Sequence, residues 1–208
     1  MKTNLTKLTV ALASLGALAG CGDDESTHPT TYLSVQAMDG YLQKAQVWLD
    51  VNGNFKLDAN EPQALTGAEG KATLDLTKFT GDPAHYPLMT KVLKGQTIDE
   101  DNPGITVTRD YVMMAPKGYK KISPVTTMIG LKIAEGASEQ EALAAVRSEL
   151  AQPDLNPEQD YIASKNTLVA QSARSIAQLL PEQLGTNDIA EQKAVLSQGA
   201  SALGKEIE

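Results

Sequence analysis

The 208-residue sequence has little of several residue types that support function in other proteins. It contains one cysteine, two histidines and one tryptophan. A single cysteine excludes an internal disulfide, and so few cysteines and histidines argue against a zinc site. Positive charge is also scarce, since the formal net charge is −8. This balance argues against binding to nucleic acid or electrostatic docking on anionic lipid, and it suits the binding of cations.

Sequence signatures of catalysis are missing as well. The chain has no G-x-S-x-G elbow and no obvious Ser-His-Asp set, and it has neither a P-loop nor a dinucleotide-binding glycine fingerprint. Its acidic residues concentrate in segments that read as turns, which is not where a catalytic cleft would need them. We therefore expect a protein that is not an enzyme.

The N-terminus has the order of features found in exported proteins. Lys2 and Lys7 form a basic start, and residues 8–19 form an apolar run that is too short for an ordinary transmembrane helix. The run ends in Leu18-Ala19-Gly20-Cys21, so a signal peptide is predicted over residues 1–20. Residues 22–31, GDDESTHPTT, are acidic and polar, and the segment 21–31 is predicted to be a tether.

The sequence Leu18-Ala19-Gly20-Cys21 resembles the lipobox of bacterial lipoproteins. The resemblance implies that Cys21 becomes the first mature residue and carries lipid acyl chains such as palmitate, which hold the protein to a membrane. Gly22 stands where an Asp would signal inner-membrane retention, which favours the outer membrane, on its periplasmic or its surface side. The alternative is a secreted protein with an unrelated cysteine.

Between residues 32 and 118 the pattern is typical of β-strands. Six runs, separated by Gly, Pro, Asn and Asp, are predicted to be strands: LSVQAM, AQVWLD, KATLDL, YPLMTKVL, ITVTR and YVMMA. Short strands at such spacing predict an Ig-like or transthyretin-like β-sandwich.

In residues 119–208 the apolar residues recur at the spacing of an α-helix. Ser123-Pro124 and Ser138 to Glu141 are predicted helix starts, and Asn156-Pro157 is predicted to cap a third helix that ends near Gly185. Thr186 or Asn187 opens a last helix. The fold class is therefore predicted to be α+β, with a sandwich followed by a helical region.

The segment DVNGNFKLDANE, residues 50–61, has oxygen-bearing side chains at the offsets of an EF-hand calcium loop. The predicted ligands are Asp50, Asn52, Asn54, Asp58 and Glu61, with Lys56 contributing its backbone carbonyl. Leu57 occupies the position of the apolar anchor. Phe55 stands where the template has glycine, and Asn54 is expected to take the left-handed conformation in its place.

The segments VWLDVNGNFKLDANEP and TGAEGKATL resemble bacterial surface modules. Similar patterns occur in the B-type repeats of serine-aspartate adhesins and in carboxypeptidase-regulatory-like domains. The resemblance implies a Ca²⁺ site in a strand-flanked loop, and Pro124-Val125-Thr126-Thr127-Met128 matches a helix motif that often follows such modules. The alternative for the loop is a solvated turn, because Asp, Asn and Gly favour turns for local reasons.

Two further segments leave alternatives open. Asp99-Glu100-Asp101-Asn102 reads as an exposed turn or as part of a second cation site. Trp48 and the tyrosines would suit a glycan-binding platform or core packing. The sequence thus predicts a calcium-binding envelope lipoprotein with a structural or adhesive role. The alternatives are a glycan-binding protein, or an accessory subunit that docks through its helical region on an envelope assembly.

Overall fold

The computed structural model describes residues 31–185 and 187–207, and over that part of the chain the fold is mixed α+β. Nine strands come first, with two short 3-10 helices among them, and four α-helices follow. The strands are β1 (Tyr32–Ala37), β2 (Leu42–Gln43), β3 (Gln46–Leu49), β4 (Gln63–Leu65), β5 (Lys71–Asp75), β6 (Leu88–Val92), β7 (Ile98–Asp99), β8 (Tyr111–Ala115) and β9 (Lys121–Ile122). The helices are α1 (Pro124–Ala134), α2 (Glu139–Glu149), α3 (Thr167–Ala177) and α4 (Ile189–Ile207).

The strands form three sheets with the orders β5-β1-β9, β2-β7 and β4-β3-β6-β8. All pairs are antiparallel except β1 with β9, in which Gln36 lies beside Lys121. In β5 the side chains alternate between exposed and buried, so one face of that strand meets the core. All five residues of β8 are buried, which means that both faces of this strand are covered.

Helix α1 is part of the same core, because its first nine residues are all buried. Thr126 Oγ1 donates to the Met114 carbonyl at 2.9 Å, and the Met114 N–H donates to Thr127 Oγ1 at 3.0 Å. The two threonines thereby supply hydrogen-bond partners to the backbone N–H and carbonyl of Met114 at the outer edge of β8, which would otherwise lie unpaired. This contact gives the Thr-Thr pair of the helix motif a structural role.

The predicted starts of the first two helices are confirmed. Ser123 and Ser138 each form a capping box, with Thr126 and Glu141 as the respective third residues of the helices. Both serines therefore satisfy a backbone N–H that the first helical turn leaves without a partner.

The predicted strand ITVTR is wrong. Residues 105–109 contribute only an isolated bridge between Thr106 and Ile98, and the Val107 N–H donates to the Thr97 carbonyl at 2.9 Å. The adjacent strand β7 has only two residues and is too short to support a ladder, and Ile105 is 65% exposed. β-rich composition alone does not make a strand when no neighbouring strand is available.

The predicted helix start at Asn156 is also wrong, since α3 begins at Thr167 with Asn166 as its cap. Asn156 Oδ1 instead accepts from the Glu158 N–H in a local turn. Glu158 accepts from the N–H groups of Lys120 and Lys121, and these bonds hold the segment in a non-helical path beside β9. Helix α3 also ends at Ala177, well before Gly185.

The predicted signal peptide, the lipidation site Cys21 and the tether up to residue 30 lie outside the described residues. Among residues 31–185 and 187–207, none of the helices combines the length and apolarity needed to cross a membrane. The expected helical region from residue 119 begins with the short strand β9 and then supplies α1 to the core shared with the strands.

Candidate functional site

The acidic loop lies between β3 and β4, directly after Leu49. Its base is fixed on both sides: the Leu49 N–H donates to the Pro62 carbonyl at 2.9 Å, and the Asp50 N–H donates to the Pro87 carbonyl at 3.0 Å. Asp50 is fully buried and Glu61 is only 7% exposed. The two ends of the loop therefore place carboxylates inside the protein, while most of the residues between them reach solvent.

Asp50 organises the first half of the loop through its carboxylate. Oδ1 accepts from the N–H groups of Gly53 at 2.9 Å and Asn54 at 3.2 Å, and Oδ2 accepts from the Phe55 N–H at 2.9 Å. Three consecutive N–H groups thus point inward at one carboxylate. This curl is what a cation loop requires, because it turns alternate side chains toward a common centre.

Glu61 closes the second half of the loop. Its Oε1 accepts from the Val51 N–H at 2.7 Å, and its Oε2 accepts from the Asp58 N–H at 3.0 Å. The carboxylate at the last ligand position therefore bridges the beginning and the end of the loop. Replacing it would open the loop at both contacts.

Asn52, Asn54 and Asp58 meet on the exposed side of the loop. The amide nitrogens of Asn52 and Asn54 donate to Asp58 Oδ2 at 2.7 and 2.8 Å. Their amide oxygens accept from the backbone N–H groups two residues later, at 3.0 and 2.7 Å. The structure therefore brings together three of the predicted ligands, with the positive ends of two amide dipoles directed at the Asp58 carboxylate.

The sharp turn of the loop occurs at Phe55, with φ of 62°. The expectation that Asn54 takes the left-handed conformation is wrong, because positive φ occurs at Phe55 and at Gly53 but not at Asn54. A left-handed phenylalanine is strained, by about 1–2 kcal/mol for an L-residue. The Phe55 N–H bond to Asp50 and the packing of the ring against the core hold this conformation.

Leu57 and Lys56, two other positions of the calcium-loop template, both lie at the surface. Leu57, the predicted apolar anchor, is 39% exposed, so its role as an anchor in the core is wrong. It lines an outer cavity with Trp48, Phe55 and Leu184 instead. Lys56 is exposed, and its N–H donates to Asn54 Oδ1.

The three carboxylates differ in their electrostatics. Burial raises the pKa of Asp50 and that of Glu61, although the backbone N–H groups that they bind oppose the shift. The side-chain amides of Asn52 and Asn54 lower the pKa of Asp58, which is solvent-accessible. Asp58 is therefore the carboxylate of the loop that is most readily available as an anionic ligand.

The loop can hold a cation only through a mixed set of oxygens. Across residues 31–185 and 187–207, no three His, Cys, Asp or Glu side chains gather into a metal-binding group. The predicted set combines carboxylates with the amides of Asn52 and Asn54 and the Lys56 carbonyl. To ligate, each amide would direct its oxygen, which has two lone pairs, toward the cation. Ca²⁺ tolerates such sets, taking about six to eight oxygens with loose angular demands.

The alternative sites suggested by the aromatic residues and histidines have less support. Trp48 is 2% exposed and pairs with Met89 across β3 and β6, so its indole ring cannot form an exposed platform. His85 is exposed in a short turn and faces Asp82, with 3.8 Å between Nε2 and Oδ2. Neither residue presents a site of its own.

One cluster was not recognised from the sequence. Asp39 is 8% exposed and accepts a hydrogen bond from the Tyr111 hydroxyl at 3.0 Å. The only sequence signal is an Asp-Gly turn directly after a buried strand, which usually marks an exposed hairpin. That Tyr111 would meet it, 72 residues away, has no local signal.

Comparisons with protein-family models, with curated proteins and with solved structures found no match to this chain.

Proposed function

We propose that this chain is a calcium-binding lipoprotein of the bacterial cell envelope, with a structural or adhesive role and no catalytic activity. The observation that carries the proposal is the loop at residues 50–61, which is curled around Asp50 and closed by Glu61. The lipid anchor at Cys21 rests on the sequence of the N-terminus.

The hydrogen bonds of the loop support calcium as the ligand. The two amide groups that now donate to Asp58 occupy the place where a cation would neutralise the same carboxylate. Binding would exchange two N–H···O bonds for bonds from oxygen to metal while the backbone curl around Asp50 stays in place. Affinity in the range of extracellular modules, with Kd on the order of 10⁻⁴–10⁻³ M, is expected.

We also propose that the strands form a transthyretin-like or Ig-like sandwich, with the helices added to it. The half-buried pattern of β5 and the fully buried β8 support two sheets facing each other across the core, with α1 beyond the second sheet. The parallel pair of β1 and β9 would be an addition to such a sandwich, since the Ig architecture is antiparallel. A bound ion would tie together the ends of β3 and β4.

The test is a calcium titration of the full chain followed by calorimetry and by thermal unfolding. A ligand specific to the folded state raises stability by RT ln(1 + [L]/Kd), so the melting temperature should rise with millimolar Ca²⁺. Asp58→Asn is the informative variant, because Asp58 bonds the two amides from the exposed side of the loop and its replacement leaves the curl at Asp50 intact.

Asp154→Asn is the matched control, since it removes one exposed carboxylate outside the loop. We expect Asp58→Asn to lower the calcium affinity by at least about tenfold, corresponding to about 1.4 kcal/mol, and Asp154→Asn to leave it unchanged. Equal heats of binding for the two variants would contradict the loop as the site.

The two other roles remain alternatives. Docking on an envelope assembly through the helices would use their exposed apolar residues, of which Leu168 is 48% exposed and Val195 is 38% exposed. Leu168→Ser and Val195→Ser would test this by recovery of partners from solubilised membranes. Glycan binding has less support because Trp48 is buried.

A further inference from the structure

A second group of carboxylates lies away from the loop, where the turn after β1 meets β7 and the start of β8. It lines a cavity of about 300 Å³, here called the Asp39 cavity. The cavity wall includes Asp39, Asp99, Asn102, Tyr111 and Arg109. A volume of this size is at the lower end for ligand sites, which hold small ligands at about 300 Å³ and above.

Asp39 is the unusual member of this wall. It is 8% exposed, and the Tyr111 hydroxyl donates to its Oδ2 at 3.0 Å. Its Oδ1 is buried and has no hydrogen-bond partner among the described residues. A buried carboxylate oxygen without a partner is costly, since buried charges in proteins are normally paired or coordinate a metal.

Asp99 packs against the residue that follows Asp39, and that residue is a glycine. A Cβ added to Gly40 would lie 1.9 Å from Asp99 Oδ1, so the turn that carries Asp39 packs directly against the Asp99 carboxylate. Asp99 Oδ1 accepts from the Asp101 N–H at 3.0 Å, which fixes the side chain in place. Burial raises the pKa of Asp39, to about 7, and that of Asp99, while the positive charge of Arg174 opposes both shifts.

The neighbouring cations are committed elsewhere. Arg174 donates to Asp101 Oδ2, from Nε at 2.9 Å. Arg109 donates to the Leu180 carbonyl at 2.9 Å and to the Ala177 carbonyl, and its guanidinium carbon lies 4.9 Å from the centre of the Tyr111 ring. Arg109 thus caps α3 and stacks on tyrosine, and neither arginine forms a salt bridge with Asp39 or Asp99 within the described chain.

We propose that the Asp39 cavity is a second binding site for a hard divalent cation, ligated by Asp39 and Asp99. The donors are hard oxygens, with the Asn102 amide beside them in the wall and water completing the coordination, which suits Ca²⁺ or Mg²⁺. Tyr111 is the positioning residue: by donating to Oδ2 it fixes the carboxylate and leaves Oδ1, which has no partner among the described residues, for the ion. This site is independent of the loop at residues 50–61.

The test is equilibrium dialysis of the full chain against Ca²⁺ and, separately, Mg²⁺, with bound ions counted by elemental analysis. We expect two classes of bound ion in the unmodified protein. Asp39→Asn and Asp99→Asn should both remove the class of ion bound in the Asp39 cavity. Asp58→Asn should weaken the class bound in the loop, and Asp154→Asn should change neither class. Circular dichroism confirms that each variant is folded, and Asp99→Asn, at a half-buried position, covers the case in which Asp39→Asn does not fold.

Tyr111→Phe separates positioning from ligation. It should weaken the second class of ion by about tenfold without removing it, as second-shell changes do. Tyrosine-sensitised luminescence of bound Tb³⁺, a calcium analogue, should also weaken in this class, with Tyr161 near Asp39 as the remaining sensitiser. The proposal is overturned if Asp39→Asn and Asp99→Asn bind as many ions as Asp154→Asn. If Asp58→Asn alone has no effect, the loop site fails and the Asp39 site stands.

Discussion

The two acidic segments of the chain, residues 50–61 and residues 99–102, differ in the groups that surround their carboxylates. In the first, Asp50 and Glu61 are surrounded by backbone N–H groups that come from within the same loop. In the second, Asp99 packs against the separate turn that carries Asp39, whose Oδ1 has no partner among the described residues. A loop that supplies its own donors can form before any cation binds, whereas a cluster assembled from distant segments leaves a charge to be compensated.

Removing Asp50 should have the largest effect, because the whole loop depends on it. In Asp50→Ala the N–H groups of Gly53 and Phe55 lose their acceptor, while the Asn54 N–H keeps the Asn52 amide oxygen. We expect the free energy of unfolding in chelator to fall by about 3 kcal/mol, the upper end for unpaired buried donors. Urea unfolding measures this change. Asp50→Asn, which keeps one acceptor oxygen, should lose less, and an unchanged stability of Asp50→Ala would mean that the loop is not held by the carboxylate.

Alanine substitutions at two glycines, one packed against the second segment and one within the first, should destabilise the protein by different mechanisms. Gly40→Ala forces its Cβ against Asp99 and should destabilise by about 2 kcal/mol through overpacking. Gly53→Ala meets nothing within 4 Å but must adopt φ of 72°, so it should lose about 1 kcal/mol through strain alone. Thermal unfolding compares them, with Gly67→Ala as the benign reference. A larger loss for Gly53→Ala than for Gly40→Ala would refute the close approach of Asp99.

Phe55 separates backbone strain from side-chain packing in the first segment. Phe55→Gly and Phe55→Ala both remove the ring, but only glycine relieves the positive φ. The glycine variant should therefore be the more stable of the two by about 1 kcal/mol, and it should bind Ca²⁺ at least as tightly. Denaturant unfolding and calorimetry provide the two measurements. If alanine proves as stable as glycine, the turn in solution is not left-handed at this residue.

Glu141 is an exposed carboxylate that belongs to neither acidic segment, and it serves as a reference for the carboxylates of both. The Ser138 hydroxyl and backbone N–H lower its pKa below the usual value of 4.5. A lowered pKa in the folded state means that its stabilising contribution is present above pH 4.5 and is lost as the pH falls through the lowered pKa. Glu141→Gln should remove a small part of the acid dependence of stability, measured as the melting temperature from pH 6 to pH 3, roughly the range in which carboxylates titrate. An unchanged acid profile would mean that the capping box contributes nothing.

Local signals in the sequence were enough to predict the strands β1, β3, β5, β6 and β8, because each has a run of β-forming residues between turns. The capping boxes at Ser123 and Ser138 were predictable for the same reason. The sequence also located the acidic loop, and the structure brings Asn52, Asn54 and Asp58 into contact there.

What could not be predicted depends on distant partners. β9 and β2 have only two residues each and are strands because β1 and β7 lie beside them. The conformation of Phe55 follows from its N–H bond to Asp50 and its packing against the core, not from any preference of phenylalanine. The contact of Asp39 with Tyr111 arises only after the chain has folded.

The pairing of β1 with β9 has a consequence for the order in which the chain can fold. Gln36 and Lys121 touch through their side chains although they are 85 residues apart in sequence. During synthesis the first strand must wait, with that edge unpaired, until the chain has been made beyond β9. Such a long-range closure is slow, because the entropy of the intervening loop is lost before the contact forms. A nascent chain stalled before residue 121 would therefore present an open strand edge, the kind of surface that chaperones bind and that aggregates readily.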